Sequence, residues 1–109
     1  MIRHKFHAKP TECDGIKFAS KMEARYYSLL KKLKDSGEIL FFLRQVPLYL
    51  PGNTKYVVDF VEFWAPKHGE VAGEIKFVDV KGVQTEQFKL KKRQVEALYP
   101  IEIKRIEQV

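Results

Sequence analysis

Cysteine, long apolar runs and repeated segments are scarce or absent in this sequence. The single cysteine, Cys13, cannot form a disulfide within the chain, which favours a reduced, intracellular protein. There is no run of about 18 apolar residues, so we expect no transmembrane helix and no membrane partner. The basic start of the chain is followed by no apolar segment of the secretory type. These absences predict a cytoplasmic protein.

The length and charge favour a single domain with a polyanionic partner. The chain has 109 residues, enough for one modest core, and we treat residues 1–109 as one domain with a basic arm at residues 1–10. Its net charge is +6, from 20 Lys and Arg against 14 Asp and Glu. Basic side chains release the counterions condensed on nucleic acid, although many basic domains simply have solvated lysine-rich faces.

Two helices and four strands are predicted. Ser20 suits a helix N-cap, apolar residues follow it at helical spacing up to Leu33, and Gly37 suits the position after the helix end. Thr85 suits the cap of a second helix, which Pro100 limits. The strands are expected at 39–50, 56–64, 71–80 and 101–106. The α-β-β-β-α-β order indicates an α/β domain with a central mixed sheet flanked by helices.

Acidic residues interrupt two of these apolar strands. Side chains alternate along a strand, so Asp79 and Lys81 point to one face and Val80 points to the other. Asp59 interrupts the preceding strand, and a hairpin would bring the two aspartates within reach of one ion. Carboxylate oxygens suit Mg²⁺ or Mn²⁺, which activate water and neutralise charge on a phosphodiester. Lys81 would then orient the attacking water or stabilise the transition state.

Asp59 followed by Asp79-Val80-Lys81 resembles the PD-(D/E)XK nuclease signature, and the segment through Gly82 resembles the endonuclease I type of Holliday junction resolvase. The likeness to small phage-encoded domains of that superfamily extends from Asp14 to Lys91. The signature's proline is replaced by Val58, and Asp79 stands where the endonuclease I type has a glutamate, which puts the metal geometry in doubt.

The resemblance implies a restriction-endonuclease-like fold and a phage-encoded metal-dependent DNA endonuclease acting in a bacterial host. Its substrate would be branched DNA such as a four-way junction, and cutting both strands would require a homodimer. It also implies catalytic roles for Glu23, Asp59, Asp79 and Lys81, and a metal site formed by Glu23, Asp59, Asp79 and Val80. Glu23 has an alternative role, because Ser20-x-x-Glu23 is also a capping box.

Two further polar positions are ambiguous. Glu74-Ile75-Lys76 is a second acid-x-lysine triplet, but it shares a face with Val78 and Val80, which we assign to helix packing, so we favour an exposed pair at the strand end. Gln45 resembles a polar position near the site of some of these nucleases, and we favour an ordinary strand residue there.

Candidate DNA-binding cations lie in the N-terminal arm and on the second helix. The helix cations could equally form a solvated face, with Lys92 covering the core through its stem. His4 and His7 have metal-binding spacing but no accompanying ligands, and Cys13 lies in a polar stretch that we take for a turn. The candidate DNA contacts are Arg3, Lys5, Lys9, Lys89, Lys91, Lys92 and Arg93.

Two other functions remain open from the residues alone. The domain could be a catalytically inactive nucleic-acid-binding module, or a structural or regulatory protein whose acids form ordinary salt bridges with the abundant lysines. RNA is also compatible with the same residues as a substrate.

Overall fold

The computed structural model describes residues 11–109, which form an α/β domain with a mixed four-stranded sheet and two helices. A short hairpin precedes these elements. In chain order, the elements are β1 (Thr11–Cys13), β2 (Ile16–Phe18), α1 (Lys21–Asp35), β3 (Ile39–Leu50), β4 (Thr54–Trp64), β5 (Ile75–Val80), α2 (Glu86–Leu98) and β6 (Ile103–Ile106).

The sheet has the strand order β3-β4-β5-β6. The first three strands are antiparallel, whereas β6 lies parallel to β5 after the α2 crossover. The predicted mixed sheet and the β4–β5 hairpin are therefore present. β3 is an edge strand, which accounts for Pro47 in its interior, because an edge position tolerates the missing N–H.

α1 begins and ends as its sequence predicts. The Ser20 side chain accepts from the Glu23 N–H at 3.1 Å, which satisfies one of the free donors of the first turn. At the other end Gly37 has a φ of 84°, and its N–H donates to the Lys34 carbonyl. The N–H of Glu38 reaches the Leu33 carbonyl, completing a Schellman end that turns the chain directly into β3.

Two apolar clusters form the core. One cluster joins α1 to the sheet through Tyr26, Leu30, Phe60, Val78 and Val80, which confirms that Val78 and Val80 face a helix. The other cluster joins α2 to the sheet. It contains Leu50, Tyr56, Val58, Val61, Phe88, Val95 and Ile103.

Side-chain alternation changes phase in the middle of both hairpin strands. In β4, Val58 packs in the α2 cluster whereas Phe60, two residues later, packs in the α1 cluster. In β3 the change lies at Gln45, whose φ of 52° is left-handed and rare for a residue with a side chain. Asp59 lies between Val58 and Phe60, so the phase change in β4 coincides with a predicted site residue.

The N-terminal part and the start of β5 differ from the prediction. Thr11–Cys13 is a strand, not a turn, and the turn is confined to Asp14 and Gly15, both at positive φ. β5 begins at Ile75 and not at Val71, because the chain bends at residues 71–72 and residues 73–74 are not part of a strand. After this bend, Gly73 lies so close to the Trp64 carbonyl that an added Cβ would be 1.8 Å from its oxygen.

Candidate functional site

The two predicted aspartates meet where β4 and β5 stop pairing. Phe60 opposite Val78 is the last pair of this ladder. Beyond it, the Asp59 N–H donates to Oδ1 of Asp79 at 2.9 Å, and the Val80 N–H donates to Oδ2 of Asp59 at 2.9 Å. Each carboxylate thus accepts a main-chain hydrogen bond from the opposite strand, and both side chains are buried. The two residues are thus adjacent, as the predicted β4–β5 hairpin requires, whereas their binding of one common ion stays a prediction.

A tyrosine hydroxyl completes the surroundings of Asp79. The Tyr56 hydroxyl donates to Oδ2 of Asp79, so both oxygens of this carboxylate have protein donors. Tyr56 was not among the predicted site residues. Its ring packs in the α2 cluster, and no sequence motif marks its hydroxyl as part of the site. The phase change at Asp59 explains the omission, because regular alternation places Tyr56 and Asp59 on opposite faces.

Gln45 links Asp59 to Glu23 of α1. Its Nε2 lies 3.3 Å from Oε2 of Glu23 and 3.4 Å from Oδ1 of Asp59. The expectation of an ordinary strand residue at this position is therefore wrong. Ser20 caps the helix, while the Glu23 carboxylate faces the sheet and lies 3.8 Å from Arg44 Nη2. Glu23 is only 6% exposed, and its carboxylate belongs to the same cluster as Asp59.

The electrostatics of the cluster disfavour negative charge. Burial raises the pKa of Glu23, and repulsion from the Asp59 carboxylate raises it further, against smaller opposing effects of Arg44 and Lys81. Burial also raises the pKa of Asp79, although the Asp59 N–H and the Lys81 ammonium act in the other direction. The acids are thus incompletely neutralised by the protein, and a cation would relieve this cost.

The side-chain oxygens of the cluster are of the type that binds a divalent cation. Three buried carboxylates provide hard oxygen ligands, and Val80 could add only its main-chain carbonyl. Within residues 11–109, however, no three Asp, Glu, His or Cys side chains are already arranged around one ion position. Gln45 and Tyr56 occupy acceptor positions of the carboxylates in this conformation. Binding would therefore require these two side chains to share or leave those oxygens.

Lys81 lies beside this cluster and opens onto a groove. It follows β5 directly, and its main chain is held by bonds from Lys81 N–H to the Ile106 carbonyl and from Arg105 to the Lys81 carbonyl. As alternation predicted, Asp79 and Lys81 line the same cavity, which has a volume of about 450 Å³. The cavity is lined by Lys55, Tyr56, Val57, Asp79, Lys81, Val83, Thr85, Gln87, Phe88 and Lys91.

The second acid-x-lysine triplet has separate partners. Glu74 forms an exposed ion pair with Lys104 at 3.8 Å. The Lys76 ammonium lies 4.1 Å from the centre of the Trp64 ring, a cation–π contact. Glu74 is therefore exposed at the strand end, as expected, whereas Lys76 is half-buried. Trp64 in turn packs against the α1 cluster.

The predicted DNA-binding residues fall into three groups. Arg3, Lys5 and Lys9, like His4 and His7, lie outside the described residues. On α2, Lys89 and Lys92 form ion pairs with Glu86 and Glu96 at 3.2 and 4.0 Å. Lys91 lines the groove beside Asp79, and Arg93 is exposed on the same helix.

Cys13 has a structural position. It lies in β1 against the α1 cluster, and its Sγ is 3.7 Å from the Ser28 hydroxyl.

Comparisons with known proteins identify the family to which the chain belongs. No helix in residues 11–109 is both long and apolar enough to cross a membrane. No curated protein and no solved structure gives a significant match. A family model described as a protein of unknown function (DUF1064) matches residues 3–107, and the chain therefore belongs to this family.

Proposed function

We propose that this protein is a metal-dependent DNA endonuclease of the PD-(D/E)XK type, with a restriction-endonuclease-like fold. The observation that carries the proposal is that Asp59 and Asp79 lie side by side where β4 and β5 stop pairing. Gln45 connects Glu23 to Asp59 by hydrogen bonds to both carboxylates. Lys81 extends from the same point into a groove. An acid pair, a helix glutamate and a lysine are the groups that the resemblance implies.

The carboxylates would hold one or more Mg²⁺ or Mn²⁺ ions. Glu23, Asp59 and Asp79 would contribute side-chain oxygens, and Val80 a main-chain oxygen. When bound, the cation supplies charge neutralisation at the phosphodiester and lowers the pKa of a coordinated water. The raised pKa of Glu23, caused by burial and by Asp59, supports cation binding, because the cation removes that repulsion.

The protein's own groups would position the substrate and the nucleophile. Lys81 would donate from its ammonium to a phosphate oxygen or to the attacking water. Gln45 has an amide that can donate to carboxylates or to a water between them. Tyr56 fixes the Asp79 carboxylate from the α2 side, which keeps this acid in one orientation. Such fixed donors require little rearrangement during the reaction.

The substrate would be branched DNA, such as a four-way junction, and the active form a homodimer. This part of the proposal rests on the resemblance to junction resolvases. Each chain provides one cluster of this type, so symmetric cutting of two strands would require two chains. The resemblance also implies that a phage encodes the protein and that it acts in a bacterial host cell.

Cleavage assays test this proposal directly. A labelled four-way junction and a matched linear duplex are incubated with the protein in Mg²⁺, in Mn²⁺ and in EDTA. We expect cutting in either metal, none in EDTA, and none with Asp79→Asn. Glu74→Gln is the matched control, since it changes the acid of the other acid-x-lysine triplet, which lies outside the cluster.

The outcomes separate the enzyme from the alternatives. Equal loss of cutting in both variants would contradict the assignment of Asp79, and the ratio of junction to duplex cutting decides the substrate. If wild type binds DNA but cuts neither substrate in either metal, the inactive binding module replaces the enzyme. If it neither binds nor cuts, the acids are structural.

A further inference from the structure

The groove beside Asp79 is cationic on three sides. β4 contributes Lys55, the end of β5 contributes Lys81 and α2 contributes Lys91. Asp79 is the single carboxylate among the lining residues, and it is 1% exposed and bonded to Tyr56 and Asp59. Its charge is therefore directed into the protein, while the three lysines border the open volume.

These three lysines line one groove, and none of them has a carboxylate partner among residues 11–109. Lys31, Lys89, Lys92 and Lys104 each lie within ion-pair distance of a carboxylate. Within the described chain, no carboxylate lies at ion-pair distance from the ammonium groups of Lys55, Lys81 and Lys91, and Lys55 is exposed. Three cations without an ion-pair partner in this part of the chain, placed around one groove, repel one another, and an anionic ligand would relieve that repulsion.

The remaining lining residues suit a sugar-phosphate chain better than a small anion. Val57 and Val83 are 38% and 61% exposed beside the lysines, and they offer apolar surface to a sugar or a base. Thr85 and Gln87, at the start of α2, add polar groups next to the positive end of the helix dipole. The volume of about 450 Å³ exceeds that needed by one phosphate and is open at the surface.

We infer that this groove binds the backbone of one DNA strand, with Lys55 and Lys91 contacting phosphates adjacent to the one held at Lys81. This inference rests on the proposed nuclease function and identifies how the strand enters the site. Lys55 has no place in the signature motif, and its assignment comes from the groove alone.

Binding without metal tests the inference separately from cleavage. The probes are a fluorescent single-stranded DNA and a duplex of the same sequence, titrated in EDTA at several salt concentrations. The variants are Lys55→Ala, Lys91→Ala and their combination. Lys67→Ala is the matched control, because Lys67 is an exposed lysine in the loop after β4 and away from the groove. Thermal unfolding establishes that each variant is folded.

We expect several-fold weaker binding for each groove variant. The slope of log affinity against log salt should decrease in magnitude by about 1 for each lysine removed, because each phosphate contact releases condensed counterions. Lys67→Ala should leave both quantities unchanged. A larger effect on the single strand than on the duplex would identify an unpaired strand as the ligand.

Two results distinguish this inference from the nuclease proposal. Unchanged affinity and slope in the double variant would overturn the groove assignment, even if the wild type cuts DNA. Conversely, the expected loss of binding together with absence of cutting in Mg²⁺ and Mn²⁺ would retain the groove as a DNA site and refute the enzyme.

Discussion

The main-chain N–H of Asp59 donates to Oδ1 of Asp79 at 2.9 Å, so a side chain takes the place of a backbone acceptor between β4 and β5. The Val80 N–H repeats this arrangement with Asp59 at the same distance. Both donors belong to buried residues, which makes the two hydrogen bonds part of the sheet's stability. The candidate site is therefore also the place where the sheet changes from paired to separate strands.

Tyr56→Phe is expected to destabilise the protein by about 1–3 kcal/mol, because Asp79 would lose a donor that cannot be replaced in a buried position. Denaturation in urea measures the free energy of unfolding. Tyr49→Phe is the control, since the Tyr49 side chain is largely exposed at 66% and should change stability by less than about 0.5 kcal/mol. If both substitutions changed the free energy of unfolding equally, the hydrogen bond between Tyr56 and Asp79 would not stabilise the fold.

Glu23→Gln is expected to stabilise the metal-free protein at neutral pH, by an amount on the order of 1 kcal/mol. The substitution removes a buried charge that Asp59 repels, while a glutamine oxygen can still accept from Gln45. Urea denaturation in EDTA measures the effect. Glu102→Gln is the control, because Glu102 is exposed. Adding Mg²⁺ should stabilise wild type more than the variant. Destabilisation by Glu23→Gln in EDTA would mean that Arg44 outweighs the repulsion.

Gln45 should show the reverse of the usual preference for alanine over glycine in a strand. Its φ of 52° is strained for any residue with a Cβ, so Gln45→Gly should be more stable than Gln45→Ala by about 1 kcal/mol. Both variants lack the amide, so the comparison isolates the backbone. The same pair of substitutions at Tyr49, an exposed β3 residue without a positive φ, should favour alanine. If alanine is preferred at both positions, the left-handed conformation at Gln45 is wrong.

Glu62 should make stability depend on pH away from the candidate site. It is fully buried and accepts from the Tyr26 hydroxyl at 2.5 Å and from Trp64 Nε1 at 2.9 Å. Burial raises its pKa above the ordinary value of 4.5, despite these bonds. The folded state therefore favours the protonated acid, and this stabilisation is complete below pH 4.5 and is lost as the pH rises through the folded-state pKa.

Substituting Glu62 by glutamine isolates this effect. The free energy of unfolding of Glu62→Gln, minus that of wild type, should rise with pH above about 4.5 and then become constant. Urea denaturation across the pH range measures it, with Glu102→Gln as an exposed control. A difference that does not vary with pH would show that the Glu62 pKa is the same in the folded and unfolded states.

Much of the fold and the pair of aspartates could be predicted from the sequence, because helix caps and strand alternation are local signals. Ser20, Gly37 and Thr85 limit their helices as expected, and Asp79 and Lys81 share one cavity because they are two residues apart in a regular strand. These features require no knowledge of distant contacts.

The positions of Gln45 and Tyr56 could not be predicted in the same way. A left-handed glutamine has no sequence signal, and the phase change that it accompanies moves every later β3 side chain to the other face. Likewise, β5 begins later than predicted where Gly73 lies against the Trp64 carbonyl, and these two residues are not neighbours in sequence. Such features arise from tertiary packing.

The structural role of the two aspartates affects how relatives of this protein should be compared. Asp59 and Asp79 hold β4 and β5 together at their opening, so a homologue that had lost any chemistry would still need acceptors there. Lys81 differs, because within the described chain its ammonium has no hydrogen bond or ion pair to maintain. Across the family, replacement of the lysine would therefore argue against the proposed activity more clearly than retention of the acids would argue for it.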